Sequence, residues 1–231
     1  MSIILNIETS STNCSVSVSE EGRLIDFVEQ NFEQYSHSKS LHVFIDKLFK
    51  KIEISLGDLT AVSISEGPGS YTGLRIGVSA AKGICFALDI PLIAIDTMYI
   101  LARKIECSKG YIISAMDARR DEIYYSIFEF NNNKLPKRIV ETDSLVLNSN
   151  SFHQFLKSST VNFIGNSNEK IMNFINHKNA IFSEFSLPSA KEMGILSHLK
   201  FIKKDFVDIS EFQPKYLKEF GGKKLKANHT N

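Results

Sequence analysis

The segment EGPGSYTGLRIG occupies residues 66–77 and lies between two apolar patterns of different period. Residues 59–65 have the pattern of a strand, and residues 74–88 have the pattern of a helix. Because a strand leads through this loop into a helix, the N–H groups of the first helical turn point into the loop and can bind an anion. The glycines and the proline also fix one backbone shape, so a structural loop and an anion site remain equal alternatives.

The spacing within this loop excludes three known motifs. No Gly-Lys-Ser/Thr sequence closes it, so it is not a P-loop, and its glycines at 67, 69 and 73 do not follow the dinucleotide-binding pattern. Ser70 lacks the G-x-S-x-G spacing of a hydrolase nucleophile. We expect Arg75, just beyond the loop, to pair with Glu66 or Glu8.

The residues around the loop predict alternating strands and helices. Upstream, residues 3–7, 14–19 and 24–31 show strand patterns separated by polar turns, which predicts an antiparallel meander. Residues 41–52 carry one apolar stripe of helical period, with Ser36 or Ser38 as the N-cap. Downstream, residues 90–95 predict a strand, and a helix begins within residues 96–104.

The opening pattern repeats in the second half of the chain. Residues 111–116 and 122–130 predict a second hairpin, and residues 161–164 predict a short strand that ends at Gly165. Helices are predicted at 151–157, 168–176 and 189–202. The repeat predicts an α/β protein with two related lobes, namely an N-terminal lobe at 1–104 and a smaller lobe at 105–219. A basic, flexible tail is predicted at 220–231.

Composition limits the class of protein. With 231 residues, of which 43% are hydrophobic, the chain can bury a complete core. No apolar stretch is long enough to cross a membrane, and the first residues read as a strand rather than a signal peptide. Cys14, Cys85 and Cys107 form no C-x-x-C pair, which favours a reducing compartment. We therefore predict a cytoplasmic protein.

The net charge of +1 argues against a protein that binds nucleic acid over its whole surface. Positive charge gathers in the tail at Lys223, Lys224 and Lys226. A solvated basic tail is the favoured interpretation, and a contact with a phosphate backbone is the alternative.

The first hairpin contains residues that can hold phosphate. Glu8 ends the first strand, and Thr9 and Ser10 follow in a tight turn. Hydroxyl and backbone N–H groups supply donors for phosphate, while the acid can hold a metal-bound water. The same residues also suit an ordinary hairpin turn, and the local pattern favours that alternative.

Small residues line the helix that follows the glycine loop. Glycine inside a helix costs about 1 kcal/mol relative to alanine, so Gly77 and Gly83 need a reason to be there. Close approach of another element supplies that reason, and the element is either the chain's own sheet or the helix of a partner.

Histidines do not indicate a metal site, because His37 and His42 fall on different faces of a helix.

Several segments resemble those of the TsaB family, whose members are the dimerization subunit of the TsaD-containing complex. They are ILNIETS (4–10), EGPGSYTGLRIG (66–77), AAKG (80–83), PLIAIDT (91–97), MDARRDEIY (116–124), PSA (188–190) and PKYL (214–217). The resemblance runs along nearly the whole chain. It implies the actin-like ATPase fold (ASKHA, ribonuclease H-like) with two related lobes.

The chain departs from its catalytic sister family at the positions that carry chemistry. A His-x-x-x-His metal site in the TsaD subunit corresponds here to Thr97 and Leu101, and neither replaces imidazole as a ligand. Glu8 stands where an aspartate is expected, and residues 117–120 lack a glycine-rich phosphate turn. The resemblance therefore implies a subunit with no catalytic residue, metal or cofactor, in which Glu8, Thr9 and Ser10 form a vestigial phosphate hairpin.

The resemblance also implies a function. The chain is expected to pair with a TsaD-like catalytic subunit and to help recruit a TsaE-like ATPase, so that threonylcarbamoyl is transferred to adenosine 37 of tRNAs reading codons that begin with A. It reaches tRNA through the complex and forms homodimers when alone. The predicted partner surface is Leu41, Phe44, Ile45, Leu48, Gly73, Leu74, Gly77, Ala80, Ala81 and Ile84. The main alternative is an ATP-dependent kinase or hydrolase of the same fold, and no residue set supports a peptidase.

Overall fold

The computed structural model describes residues 1–33, 36–107, 109–131, 135–184 and 186–217. The first half of the chain forms a five-stranded mixed sheet in the order β3-β2-β1-β4-β5. The first three strands are the predicted antiparallel meander, and β4 and β5 run parallel to β1. The strands are β1 (Ile3–Glu8), β2 (Asn13–Glu20), β3 (Arg23–Asn31), β4 (Ala61–Gly67) and β5 (Leu92–Asp96).

Two long helices cover one face of this sheet. The first, α1 (His37–Lys51), begins four residues before the predicted apolar stripe, and Ser36 takes the N-cap position without a side-chain hydrogen bond. The second, α2 (Tyr71–Leu88), is capped by Ser70, whose hydroxyl group accepts from the N–H of Gly73 at 3.2 Å. Their inward residues join the core between helices and sheet.

The second sheet repeats the order of the first. Its strands run β10-β9-β6-β7-β8, with β6, β7 and β8 antiparallel and β9 parallel to β6. The strands are β6 (Lys109–Asp117), β7 (Glu122–Asn131), β8 (Lys137–Val146), β9 (Val161–Gly165) and β10 (Ala180–Phe182). The two related lobes and the α/β class predicted from the sequence are therefore confirmed.

Short helix α3 (Thr97–Ala102) follows β5 and lies between the two sheets. Met98 and Leu101 are fully buried there, in a cluster with Ile112 and Phe128 of the second sheet. Two further short helices, α4 (His153–Ser158) and α5 (Asn168–Met172), belong to the second half. The core is thus continuous from the first lobe through α3 into the second.

The end of the described chain returns to the first sheet. The predicted helix at 189–202 is a 3₁₀ turn (Ala190–Glu192) followed by α6 (Gly194–Ile202), and Met193 and Leu196 pack with Ile4 and Ile93. Farther on, Val207 forms a β-bridge with Leu92. These residues therefore pack with the first lobe and not with the predicted lobe of residues 105–219. The other boundaries stay predictions, and the predicted tail at 220–231 lies outside the described residues.

A buried amide holds α6 on the sheet. The Ser197 hydroxyl group donates to Asn6 Oδ1 at 2.9 Å, and the Ser63 hydroxyl group donates to the same oxygen at 2.6 Å. Asn6 Nδ2 donates to the hydroxyl oxygens of Ser17 and Ser19. Because a buried polar group is costly unless it is hydrogen-bonded, this network favours a single position of α6 on the first sheet.

Within the part of the chain that the structure describes, none of the helices combines the length and apolar character that a membrane crossing requires.

Candidate functional site

An open groove of about 810 Å³ runs between α1 and α2 on the outer side of the first lobe. Most of its surface is apolar. The lining residues of α2 include Thr72, Ile76, Ala80 and Gly83, whose spacing of i, i+4, i+8 and i+11 places them on one face of that helix. The groove is lined by Ser38, His42, Tyr71, Thr72, Arg75, Ile76, Ser79, Ala80, Gly83, Ile84 and Ala87.

Large apolar side chains on the same two helices are exposed. Phe86 of α2 is 85% exposed, and Val43 of α1 is 47% exposed. An exposed phenylalanine next to a mostly apolar groove is typical of a surface that another protein covers. The arrangement can therefore seat an apolar helix, and it contains no set of groups arranged for bond-breaking chemistry among the described lining residues.

The structure corrects the choice of residues for the predicted partner surface. Of the ten predicted residues, Ala80 and Ile84 line the groove. The other eight are buried, and they pack inside the first lobe because the sheet lies on that side of both helices. These eight are Leu41, Phe44, Ile45, Leu48, Gly73, Leu74, Gly77 and Ala81.

Two glycines of α2 have opposite surroundings. A Cβ atom on Gly77 would collide with the hydroxyl group of Thr9 and would lie 2.9 Å from Ile64. A Cβ atom on Gly83 would meet no atom within 4 Å among the described residues, and Gly83 lines the groove. The prediction that Gly77 faces a partner is therefore wrong, because the chain's own hairpin lies there. The small-residue signal for a partner belongs to Gly83.

The glycine loop is fixed by contacts within the chain. The Ser70 N–H donates to the Ser10 carbonyl oxygen at 2.6 Å, and the Lys215 N–H donates to the Glu66 carbonyl oxygen at 2.7 Å. Gly67 has φ +109°, and a Cβ atom there would lie 2.7 Å from the Lys215 carbonyl oxygen, so this position requires glycine. Since the N–H groups of Ser70 and Gly73 are used inside the chain, the structural interpretation of the loop is favoured.

The opening hairpin is buried rather than open to a phosphate group. Glu8, Thr9 and Ser10 have no exposed surface, and the Ser10 N–H donates to Glu8 Oε1 at 2.5 Å. Burial raises the pKa of the Glu8 carboxyl group to about 7, and the neighbouring Ser10 and Ser65 partly oppose that rise. Ser10 lies directly against Gly69 of the loop, and Thr9 lies directly against Gly77 of α2. The hairpin therefore supports the loop and α2.

The two positions that correspond to the metal-binding histidines lie in the core. Thr97 and Leu101 are both fully buried in α3. Among the described residues, no group of three or more His, Cys, Asp or Glu side chains is placed to hold a metal ion.

The acid at the start of α3 joins the two lobes. Asp96 accepts from the N–H groups of Met98 and Tyr99, and its carboxylate lies 2.8 Å from Arg138 in the second sheet. The Thr142 hydroxyl group donates to the same carboxylate at 2.8 Å. Asp96 therefore serves as a helix cap and as a link between the lobes.

Arg75 lies at one end of the groove, between two tyrosines. Its guanidinium carbon is 4.0 Å from the centre of the Tyr71 ring, and its Nε–H donates to the Tyr216 hydroxyl oxygen at 3.2 Å. The two tyrosine rings are 4.9 Å apart. The predicted pairing of Arg75 with Glu66 or Glu8 is wrong, because Glu8 is buried in the hairpin and the guanidinium is directed outward onto these rings.

Most of the groove residues that the sequence prediction missed share one signal. Those on α2 lie beside the stripe formed by Gly73, Gly77 and Ala81, on a face that also carries small and apolar residues, whereas Ser38 and His42 lie on α1. Tyr216 has no such signal, because 141 residues separate it from Arg75 in sequence.

The two lobes, each a five-stranded mixed sheet that opens with an antiparallel meander, are those of the actin-like ATPase fold. A family model described as "TsaD: tRNA N6-adenosine threonylcarbamoyltransferase" matches residues 32–223. The chain belongs to this family, on the branch whose members are named TsaB.

Two curated relatives are named "tRNA threonylcarbamoyladenosine biosynthesis protein TsaB". The one from Haemophilus influenzae is 27% identical and covers 96% of both chains. The one from Buchnera aphidicola subsp. Schizaphis graminum is 34% identical over 62% of this chain and 68% of its own length. The resemblance stated from the sequence is therefore confirmed.

A solved structure from Pseudomonas aeruginosa shares the fold. It is described as an uncharacterized protein with similarity to peptidase YEAZ, is 23% identical, and covers 94% of this chain and 100% of its own, with a TM-score of 0.84.

Proposed function

We propose that this chain is a cytoplasmic, non-catalytic subunit required to make N6-threonylcarbamoyladenosine at position 37 of tRNAs that read codons beginning with A. Its relatives carry the name of that pathway, and its family model is that of the transferase. The observation that carries the proposal is the open, mostly apolar groove between α1 and α2, on a chain of a catalytic subunit's family.

The groove supports pairing with a TsaD-like catalytic subunit. Gly83 leaves open space above α2, and the small side chains of Ala80 and Ala87 protrude little from the adjacent surface. Small residues of this kind let a second helix approach closely, and burial of Phe86 supplies apolar contact area. The same face forms a homodimer when the partner is absent.

The absence of a catalytic role is part of the proposal. Thr97 and Leu101 fill the core where the sister subunit carries its metal-binding histidines, and Glu8 is buried in a hairpin that supports α2. The chain needs no cofactor or metal of its own. The pair it forms recruits a TsaE-like ATPase, and tRNA is bound by the complex.

Reconstitution tests the proposal. The chain, a TsaD-like protein and a TsaE-like protein from one organism are combined with tRNA and threonylcarbamoyl-adenylate, and modified nucleoside is measured by mass spectrometry. We expect product from the complete mixture, none when the chain is omitted, and none from the chain alone. Product from the chain alone would contradict the non-catalytic role. An ATP dissociation constant in the micromolar range for the isolated chain would favour the kinase or hydrolase alternative.

A further inference from the structure

The described residues that line the groove give it positive charge and no negative charge. Among the described residues that line it, none is acidic, and Arg75 carries a full positive charge at one end. Within the part of the chain that the structure describes, no carboxylate forms an ion pair with Arg75. In contrast, Arg138 pairs with Asp96, and Lys191 pairs with Glu29. An arginine on an apolar surface, without a carboxylate of its own, is suited to a carboxylate supplied from outside.

The position of this guanidinium is fixed before any partner arrives. Tyr71 lies one helical turn before Arg75 and stacks on the guanidinium, while Tyr216 accepts from its Nε–H. Tyr216 is itself held in place, because the preceding residue, Lys215, is hydrogen-bonded to the backbone of Glu66. A side chain that is already ordered loses little conformational entropy on binding, so its contact contributes more to affinity.

The bond to Tyr216 also leaves a defined set of donors. An arginine has five N–H donors and no acceptor, and Nε–H supplies the one that Tyr216 accepts. Tyr71 also forms a side-chain hydrogen bond with Arg75, and the donors that remain on the terminal nitrogens can still bind a carboxylate.

We propose that the groove binds an apolar helix of the partner subunit that carries an Asp or Glu side chain opposite Arg75, and that this contact selects the partner over a second copy of this chain. The proposal rests on the proposed function and adds the chemistry of the partner. Apolar contact supplies the general affinity of the groove, and the single charged contact supplies its selectivity.

A second copy is the poorer occupant for a reason of symmetry. In a two-fold dimer each groove meets the same surface of the other copy. That surface offers Arg75 and His42 again and no carboxylate among its described lining residues. Burying a cation without a partner charge is costly. Arg75 therefore weakens the homodimer, whereas it strengthens a heterodimer that supplies a carboxylate. Low salt should strengthen the heterodimer and leave the homodimer no tighter.

The test measures two affinities, for the TsaD-like protein and for self-association, at low and high salt by sedimentation or calorimetry. Arg75→Gln should weaken the heterodimer roughly 10- to 100-fold and reduce its salt dependence, while the homodimer stays as tight or tightens. Lys82→Gln is the matched control. It removes one positive charge from the same helix, and Lys82 is directed at the Ser210 carbonyl oxygen outside the groove.

Charge reversal identifies the partner's residue. Arg75→Glu should abolish binding, and one Asp→Lys or Glu→Lys change on the partner should restore it. If Arg75→Gln binds the TsaD-like protein as tightly as the unsubstituted chain does, or if no reversal restores binding to Arg75→Glu, this proposal is wrong while the proposed function stands. If the unsubstituted chain does not bind that protein at all, the proposed function fails, and this proposal fails with it.

Discussion

Gly77 of α2 lies directly against Thr9 of the opening hairpin, and no space for a side chain remains between them. Thr9 is fully buried, and Gly73, one turn earlier, is in similar contact with the Thr9 carbonyl oxygen. The hairpin that the sequence analysis considered as a phosphate site is therefore a packing surface for the helix whose outer face forms the groove.

This contact predicts that Gly77→Ala destabilises the chain. The added methyl group would overlap the Thr9 side chain in a region where backbone and sheet surround it, and overpacking of this kind costs about 1–3 kcal/mol. Thermal or urea unfolding measures the loss.

Gly83→Ala is the control. The same change in open space should leave stability unchanged or raise it by up to about 1 kcal/mol, because alanine is the better helix former. Equal effects of the two substitutions would contradict the surroundings found for these glycines.

The buried carboxyl group of Glu8 predicts a dependence of stability on pH. Its pKa is raised from 4.5 to about 7, so the folded chain retains a proton that the unfolded chain has lost. The stabilisation is complete below about pH 4.5 and is lost as pH rises through 7. A shift of this size corresponds to roughly 3 kcal/mol across the window.

Glu8→Gln provides the comparison, because glutamine keeps an oxygen that can accept from the Ser10 N–H but does not titrate. The free energy of unfolding of this variant, measured by urea between pH 4.5 and 8, should fall less with pH than that of the unsubstituted chain. Parallel curves for the two proteins would show that Glu8 does not titrate in this range.

The link between the lobes predicts a large effect at Asp96. The carboxylate is 8% exposed and its partner Arg138 is 18% exposed. Removal of Asp96 leaves Arg138 with the exposed Glu141 as its carboxylate partner among the described residues and also removes the N-cap of α3. Loss of one member of a buried pair typically costs about 3–5 kcal/mol. Asp96→Ala should therefore lower the free energy of unfolding by that order.

Asp46→Ala is the matched control, because Asp46 pairs with Lys50 on the exposed side of α1. Exposed pairs of this spacing contribute about 0.3–0.5 kcal/mol. A similar loss for Asp96→Ala and Asp46→Ala would argue against a structural role for the link.

Periodicity in the sequence was sufficient for most of the architecture. The meander, α1, α2 and the repeat at β6 and β7 all have strong local patterns, and the structure has them within a few residues of their predicted bounds. Two strands were missed. The edge strand β8 mixes charged, polar and apolar residues without a regular alternation, and much of its surface is exposed, so its pattern resembles that of a polar loop. Strand β10 is only three residues long, which is too short for a periodic pattern.

The faces of α2 could not be assigned from the sequence for a different reason. Small residues occur on two neighbouring stripes of this helix, with Gly77 and Ala81 on one and Ala80 and Gly83 on the other. Helical spacing identifies both stripes equally well. Only the position of the hairpin, which places Thr9 against Gly77, determines which stripe is inside. The return of α6 to the first sheet depends likewise on long-range contacts, such as that of Ser197 with Asn6.

The outer stripe leads to the last prediction. Gly83→Leu places a branched side chain on the floor of the groove, where it meets no described atom of its own chain within 4 Å of the Cβ position. The variant should therefore stay folded, with a melting temperature at or above that of the unsubstituted chain, since leucine is a good helix former. A partner helix seated in the groove would collide with the new side chain. Overpacking of a close contact typically costs about 1–3 kcal/mol, which corresponds to a roughly 5- to 150-fold weaker association.

Affinity for the TsaD-like protein and yield of modified tRNA in the reconstituted mixture are the measurements for Gly83→Leu. Lys82→Ala, at the adjacent position outside the groove, is the control for a change on the same helix. We expect loss of both binding and modification for Gly83→Leu and retention of both for Lys82→Ala. A folded Gly83→Leu chain that binds with full affinity would place the partner surface elsewhere on the first lobe or on the second, because no helix could then be seated on the floor of this groove.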